Sequence, residues 1–169
     1  MEAIIYTSNT GTTKEYAGLL GQQTGLPVIS MKESTNIKTG ADIIYLGWIM
    51  ASGVKGYADA AKKWNVKAVC AVGMGGTGTQ EKEVRERNKI PADVPVFTLQ
   101  GGFDINKLHG VYKMMMKVMV KTAGKGLAEK KDRTKDEERM YEMMMHGGDY
   151  ASIDNLTAVL NWCRECGIA

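Results

Sequence analysis

The sequence predicts one α/β domain built on a parallel sheet of five strands. Its 169 residues fit a single domain, for which about 100 to 200 residues are usual. Hydrophobic residues make up 44% and charged residues 24%, which is typical of a globular chain and excludes disordered and disulfide-dense classes. Short apolar runs alternate with helical patterns, and this alternation favours parallel strands that are covered by helices on both faces.

Five apolar, β-prone runs predict the strands. They span residues 2–6, 28–31, 42–47, 68–73 and 95–99. Helical patterns follow the first polar loop as far as 21–25 and recur around 55–64 and 80–89. The segment 32–41 shows no convincing helix and barely reaches the length that a crossover between parallel strands requires.

The segment 105–146 differs in composition from the rest of the chain. It holds ten basic and six acidic residues and eight of the twelve methionines, while the whole chain has a net charge of +3. Its pattern predicts a helix over 105–123, a Gly/Lys-rich connection over 124–135 and a short helix over 136–145. We therefore expect a basic, methionine-rich helical insertion at about 105–148 in a single domain of 1–169, closed by a helix over 152–165.

A polar loop follows the first strand and precedes the first helix. It reads Thr-Ser-Asn-Thr-Gly-Thr-Thr over residues 7–13 and contains no Lys or Arg. Free backbone N–H groups and the positive end of the helix dipole favour an anion at such a place, and hydroxyl groups add donors. The nucleotide-binding pattern Gly-x-x-x-x-Gly-Lys-Ser/Thr is absent, which argues against nucleoside triphosphate hydrolysis. The alternative to an anion site is that the loop only caps the first helix, although a cap needs just one of these hydroxyl groups.

The residues of this loop resemble the flavodoxin family. The segment from Ile4 to Ala17 satisfies the N-terminal signature of that family at every constrained position. The resemblance implies a flavodoxin-like sheet in the order 2-1-3-4-5 and FMN as the cofactor. It places six residues around the FMN phosphate, namely Ser8, Asn9, Thr10, Gly11, Thr12 and Thr13. The family uses an uncharged phosphate loop, so the lack of a lysine agrees with the resemblance.

Two further loops follow the third and fourth predicted strands, where an open α/β sheet holds the rest of its ligand. The candidate flavin contacts in them are Gly47, Trp48, Ile49, Met50, Ala51, Ser52 and Gly53 in the first loop, and Gly73, Met74, Gly75, Gly76, Thr77 and Gly78 in the second. Glycine-rich backbone can approach a planar ring closely. Trp48 is the candidate to stack on the ring, unless it packs in the core, and Phe103 is a candidate for the other face.

The second loop permits another interpretation, because residues 73–78 also fit Gly-x-Gly-x-x-Gly after a strand. A nicotinamide dinucleotide site normally carries this pattern on the first strand, which here already holds the better phosphate loop.

Residues 100–108 and the methionine-rich helix behind them resemble the flavodoxin-domain branch that includes the quinone-dependent protoporphyrinogen oxidases. In that helix Lys113, Lys117 and Lys121 lie at i, i+4 and i+8 and form one basic stripe. Such a stripe attracts acidic partners or anionic lipid headgroups, so peripheral membrane contact is one expectation and a solvated helix face is the alternative. No groove-reading motif points to nucleic acid.

Three cysteines are too few for a disulfide framework, and no secretory leader precedes the first strand, so we expect a cytoplasmic protein. Cys163 and Cys166 form a C-x-x-C at the end of the last helix, where the dipole does not favour thiolate, and we expect neither redox nor metal chemistry there. The first hypothesis is an FMN-binding electron carrier between redox partners. The alternatives are an FMN-dependent oxidoreductase resembling protoporphyrinogen oxidase, with a small-molecule or quinone acceptor, and a flavin- or anion-binding regulatory module. No catalytic side chain is assigned.

Overall fold

The computed structural model describes residues 1–105, 107, 108 and 110–168. Its strands are β1 (Ala3–Thr7), β2 (Val28–Ser30), β3 (Asp42–Met50), β4 (Gly53–Val54), β5 (Asn65–Gly73) and β6 (Val96–Gln100). Its helices are α1 (Thr12–Thr24), α2 (Tyr57–Lys63), α3 (Glu81–Asn88), α4 (Gly110–Glu129), α5 (Lys135–His146) and α6 (Thr157–Glu165). Two short 3-10 helices span Met31–Asn36 and Ile153–Leu156.

The sheet runs in the order β2-β1-β3-β5-β6, and neighbouring strands along this path are parallel. The short strand β4 lies off the path and pairs antiparallel with β3. The predicted α/β class with a parallel sheet is therefore confirmed. The prediction lacked β4, because two residues of strand carry no periodic signal.

Apolar side chains of the central strands alternate between two cores, as a sheet buried on both faces requires. Ile4 and Leu46 belong to a cluster that packs against α1 and α6. Ile5 and Tyr45, their neighbours in sequence, belong to a second cluster that packs against α2 and α3. Helices thus cover both faces, and the strand ends are left to form a site.

A third apolar cluster lies outside the sheet and is built on Phe103, Leu108 and Met143. Helices α4 and α5, which we call the cap, pack against each other and contribute to this cluster. The cap is joined to the sheet domain at Phe103, whose N–H donates to the Gly148 carbonyl (2.8 Å) and whose carbonyl accepts from the Gly148 N–H (3.0 Å). The basic methionine-rich segment is therefore a pair of helices that contact each other beside the strand ends.

The predicted connection over 124–135 is wrong in its first half, because α4 continues to Glu129. Gly124 is buried, and a side chain at this position would meet Met145 Sδ of α5 at 4.0 Å. Packing of the two cap helices therefore overrides the low helix propensity of this segment. The predicted 105–123 helix begins at Gly110, and residues 106 and 109 lie outside the described part of the chain.

Two other segments differ from the sequence pattern. The predicted strand 28–31 ends at Ser30, and Met31–Asn36 form a 3-10 helix that enters the region 32–41, where no helix was expected. The predicted closing helix 152–165 begins with a turn of 3-10 helix over Ile153–Leu156 before α6. Across the residues that the structure describes, no helix is both long and apolar enough to cross a bilayer.

Candidate functional site

A cavity of about 310 Å³ lies at the edge of the sheet where the parallel strands end. Residues from the sheet domain form one side of it: Asn9, Thr10, Trp48, Ile49, Met50, Ala51, Ser52, Val72, Gly73, Met74, Gly75, Gln80, Gly102 and Phe103. The other side comes from Leu108 and the cap residues Tyr112, Met116, Met119, Met140 and Met144. None of the described lining residues is charged, and most of the lining is apolar, so this cavity suits an uncharged planar group.

A second cavity of about 440 Å³ adjoins the first, since Thr10, Gly102, Phe103 and Met144 line both. Its other lining residues are more polar: Thr12, Asp104, Ile105, Lys107, Met145, His146, Gly147, Gly148 and Asp149. The hydroxyl-rich loop thus faces both cavities, with Thr10 at their common boundary.

The hydroxyl-rich loop ends in a left-handed turn at Gly11, which has φ 110° and directly precedes α1. The Gly11 N–H donates to Ser8 Oγ (3.2 Å), which closes the loop on itself. The backbone N–H groups of Asn9, Thr10, Thr12 and Thr13 meet no acceptor among the described residues. These donors at a helix N-terminus form a place for an anion without the help of a charged side chain.

The loop after β3 is a tight hairpin rather than an open loop. Met50 pairs with Gly53, and the two residues between them, Ala51 and Ser52, both have positive φ (48° and 59°). This is the arrangement of a type I′ turn, in which residues other than glycine are strained. The hairpin turns Met50, Ala51 and Ser52 toward the cavity.

Asn88, the last residue of α3, holds this hairpin in place. Its side-chain amide donates to the carbonyls of Ser52 (2.8 Å) and Val84 (2.7 Å). Its side-chain oxygen accepts from the Val54 N–H (2.8 Å). A strained turn needs such external support, so Asn88 positions one wall of the cavity from outside it.

Trp48 lies in the cavity wall and is half-buried, and it is not part of either core cluster of the sheet. Its ring meets Tyr112 of the cap edge to face, with centroids 5.3 Å apart and planes at 87°. Lys55 Nζ lies 5.7 Å from the centroids of both rings. The structure therefore pairs the aromatic residue that the sequence singled out with a second one that it missed.

The glycine-rich loop after β5 divides into two parts. Gly73, Met74 and Gly75 line the cavity. Thr77 instead connects this loop to β6 and to Asn155, since its hydroxyl accepts from the Gln100 N–H (3.0 Å) and donates to Asn155 Oδ1 (2.9 Å). The Gly78 N–H likewise donates to the carbonyl of Thr98 (3.0 Å).

The structure brings together members of all three predicted loops. Ten of the predicted contacts line the first cavity and Thr12 lines only the second. The others line neither cavity: Ser8, Gly11, Thr13, Gly47, Gly53, Gly76, Thr77 and Gly78. Gly47 is a packing position, because a Cβ there would lie 2.6 Å from Val54 Cγ1 and 2.7 Å from the Lys55 carbonyl oxygen.

No protein-family model, curated protein or solved structure gave a match to the chain. What the site can bind therefore follows from its own residues.

Sequence reasoning missed the cap side of the cavity, namely Leu108, Tyr112, Met116, Met119, Met140 and Met144, and also Gln80. The concentration of methionines in 105–146 was visible, but no local pattern says which face of a helix a distant strand end will meet. The spacing of Tyr112, Met116 and Met119 at i, i+4 and i+7 was the available signal, since it places the three on one helix face.

Two buried tyrosines tie the site to its surroundings. Tyr16 donates to the Gln100 carbonyl (2.5 Å) and accepts from the Asn155 amide (2.7 Å), and burial raises its pKa above the ordinary value. The Tyr45 hydroxyl lies 2.7 Å from both Thr7 Oγ1 and the Lys55 carbonyl oxygen, and burial raises its pKa to about 12. Both stay protonated at neutral pH, so they act as hydrogen-bonding anchors and not as bases.

The cysteines lie away from the two cavities. Cys163 is buried and Cys166 exposed, and burial raises the pKa of the Cys163 thiol to about 11. Burial raises the pKa of Cys70 even more strongly. No cluster of three or more metal-ligating side chains occurs in the part of the chain that the structure describes.

Proposed function

We propose that the chain binds FMN without a covalent bond and transfers electrons between redox partners. One observation carries this proposal: three loops that are far apart in sequence, each predicted separately as a flavin loop, contribute to one cavity at the carboxyl ends of β1, β3 and β5. Leaving out the short β4, the parallel strands follow the order 2-1-3-4-5 along the path of the sheet. This order supports the flavodoxin-like assignment and puts the cavity at the switch point of the sheet.

The residues present fit the chemistry of FMN. The unpaired N–H groups of Thr10, Thr12 and their neighbours offer donors to a phosphate, and the polar second cavity adjoins them. The uncharged first cavity offers the isoalloxazine ring an aromatic wall at Trp48 and soft thioether groups at Met50 and Met74. Its volume falls at the lower end of the range of about 300 to 1,000 Å³ for ligand pockets.

FMN supplies the electron transfer itself, in steps of one or two electrons. The chain's residues bind and orient it. The hairpin fixed by Asn88 and the glycine-rich loop bring backbone groups to the ring edge. The cap methionines Met116, Met119 and Met144 line the opposite side of the cavity.

A second candidate function is an FMN-dependent oxidoreductase of the kind that protoporphyrinogen oxidase represents. The cap side of the cavity favours it, because four methionines and Tyr112 form an adaptable apolar wall that the flavin loops do not require. Such a wall would suit a second planar apolar reactant beside the flavin.

The visible absorption spectrum of the purified protein tests the proposal, together with the identity of any chromophore that heat releases. We expect a flavin spectrum and FMN. If the protein is purified colourless, FMN is added and its fluorescence followed, and quenching is expected. Absence of both colour and quenching would overturn the proposal and leave a module that binds some other anion.

The phosphate assignment is tested by the double variant Thr10→Leu, Thr12→Leu, which should abolish FMN binding. Because Thr12 is buried and its replacement strains folding, Ser8→Ala with Thr10→Val provides a milder variant, and it should weaken binding. The matched control replaces the exposed Thr35 and Thr39, which line neither cavity, with Leu. Full FMN occupancy in the Thr10, Thr12 variant would remove the phosphate assignment.

The choice between carrier and oxidoreductase needs a turnover experiment with the flavin-loaded protein. Reduction of the flavin by a porphyrinogen, followed by reoxidation by a quinone, supports the oxidoreductase. Electron exchange only with a reductase or ferredoxin supports the carrier.

A further inference from the structure

We propose that the outer face of α4 binds the surface of an anionic lipid bilayer. This inference goes beyond the proposed function and does not depend on FMN. It starts from four large apolar side chains that are exposed on this helix: Val111 (59%), Met114 (64%), Met115 (48%) and Val118 (59%). Their positions at i, i+3, i+4 and i+7 place them on one face, which we call the outer stripe.

The outer stripe is not needed to hold α4 in place. The helix is anchored by its inner face, where Tyr112, Met116 and Met119 line the cavity and Val120 packs against the third apolar cluster. Most exposed apolar residues of soluble proteins are scattered singly, whereas a contiguous exposed patch marks an interaction surface. The outer stripe is such a patch.

The charges beside the outer stripe indicate what it meets. Lys113, Lys117 and Lys121 form a parallel row on the adjacent face of α4. The whole helix carries four lysines and one acidic residue, Glu129, whose carboxylate lies 3.8 Å from the fourth lysine, Lys125. An apolar stripe bordered by a cationic row is the pattern of a helix that lies in the interface of an anionic membrane.

The same charges argue against a second copy of the chain as the occupant. Two α4 helices that met through their outer stripes would bring two rows of lysines together, and like charges at an interface cost binding energy. A bilayer surface instead offers phosphate groups to the lysines and acyl chains to Val111, Met114 and Val118. Since no described helix can cross a bilayer, the contact is peripheral.

Co-sedimentation with lipid vesicles tests this proposal. The full chain is mixed with vesicles of phosphatidylcholine that contain phosphatidylglycerol, and separately with vesicles of phosphatidylcholine alone. We expect binding to the anionic vesicles that falls with added salt, and little binding to the neutral ones.

Two variants separate the contributions of the two rows. Lys113→Gln with Lys117→Gln and Lys121→Gln should weaken binding to anionic vesicles by about tenfold or more, since each lysine near such a surface contributes on the order of fivefold. Met114→Ser with Val118→Ser should weaken it to a similar extent without changing the net charge. Thermal unfolding of both variants checks that they fold.

Matched controls carry the same changes elsewhere on the surface. Lys32→Gln, Lys38→Gln and Lys82→Gln remove three exposed charges outside α4. Tyr150→Ser with Ile153→Ser removes two exposed apolar side chains outside it. Both controls should bind anionic vesicles like the wild type.

Three results would overturn the proposal. The first is that the wild type fails to sediment with anionic vesicles, and the second is that the control variants lose as much binding as the α4 variants. The third is a dimer in light scattering that Met114→Ser with Val118→Ser converts to monomer, because the outer stripe would then be covered by a second copy.

Discussion

Replacing Asn88 with Ala removes three hydrogen bonds, two of which connect α3 to the β3–β4 hairpin while the third lies within α3. The bonds run to the Ser52 carbonyl, the Val84 carbonyl and the Val54 N–H, at 2.7 to 2.8 Å. A hydrogen bond of this kind contributes about 0.5 to 1.5 kcal/mol net, and water can reach part of the site, so we expect a loss of about 2 kcal/mol. Ala also has a higher helix propensity than Asn, but at the end of a helix that gain is only a few tenths of a kcal/mol.

The free energy of unfolding in urea measures this loss. The flavin titration described above measures a second effect, because the released hairpin no longer holds its strained turn against the cavity. We expect FMN affinity to fall about tenfold, since a binding surface that must first be ordered loses affinity. Asn36→Ala, at an exposed position, is the control and should change neither quantity.

Asn88→Asp distinguishes the hydrogen bonds from the mere presence of a side chain. It keeps an acceptor for the Val54 N–H but places a carboxylate oxygen against the two carbonyl oxygens of Ser52 and Val84. It should therefore be no more stable than Asn88→Ala. If the free energy of unfolding of Asn88→Ala lies within about 0.5 kcal/mol of the wild-type value, the hairpin does not depend on Asn88 and the reasoning fails.

Three further predictions concern stability and reactivity. Gly18→Ala in α1 should stabilise the chain by about 0.5 to 1 kcal/mol, because a Cβ there meets nothing within 4 Å. Gly21→Ala should destabilise it by about 1 to 2 kcal/mol, because its Cβ would lie 2.3 Å from Val28 Cγ2. Urea unfolding compares the two variants, and equal effects would contradict the packing argument. Burial raises the pKa of Tyr45 from 10.0 to about 12, so the folded state loses about 2 kcal/mol of stability as the pH rises between these values. In unfolding measurements over this pH range, Tyr45→Phe should lose less stability than the wild type. A thiol reagent should modify Cys166 in the native protein and the two buried cysteines only after unfolding, and rapid modification of all three would argue against the described burial.

The strands could be predicted because burial on both faces leaves a continuous apolar run. The observed β5 begins earlier than predicted, at Asn65, because Asn65 and Lys67 interrupt the apolar run. The observed β3 continues past Gly47 to Met50, through residues that the sequence assigned to a ligand loop because a glycine precedes them. Alternation along the chain also favoured the parallel sheet. The β3–β4 hairpin could not be predicted, because Ala51 and Ser52 are not the residues that a type I′ turn prefers.

The candidate site could be predicted where one loop follows one strand, and not where distant elements meet. Thr10, Trp48 and Gly73 lie within three residues of the carboxyl end of a strand, so their position at one edge follows from a parallel sheet. Tyr112 and Asn88 act through tertiary contacts with Trp48 and with the hairpin. Those contacts depend on how the helices dock, which local sequence patterns do not specify.

The third apolar cluster holds the cap against the sheet domain separately from the two sheet cores. Phe103, Leu108 and Met143 belong to neither core of the sheet, so substitutions among the cap helices can accumulate without disturbing the strands that carry the loops. The two parts constrain each other mainly across the wall they share at the cavity. Related chains could therefore change what the cavity admits by altering the cap alone, while the strand ends keep their arrangement.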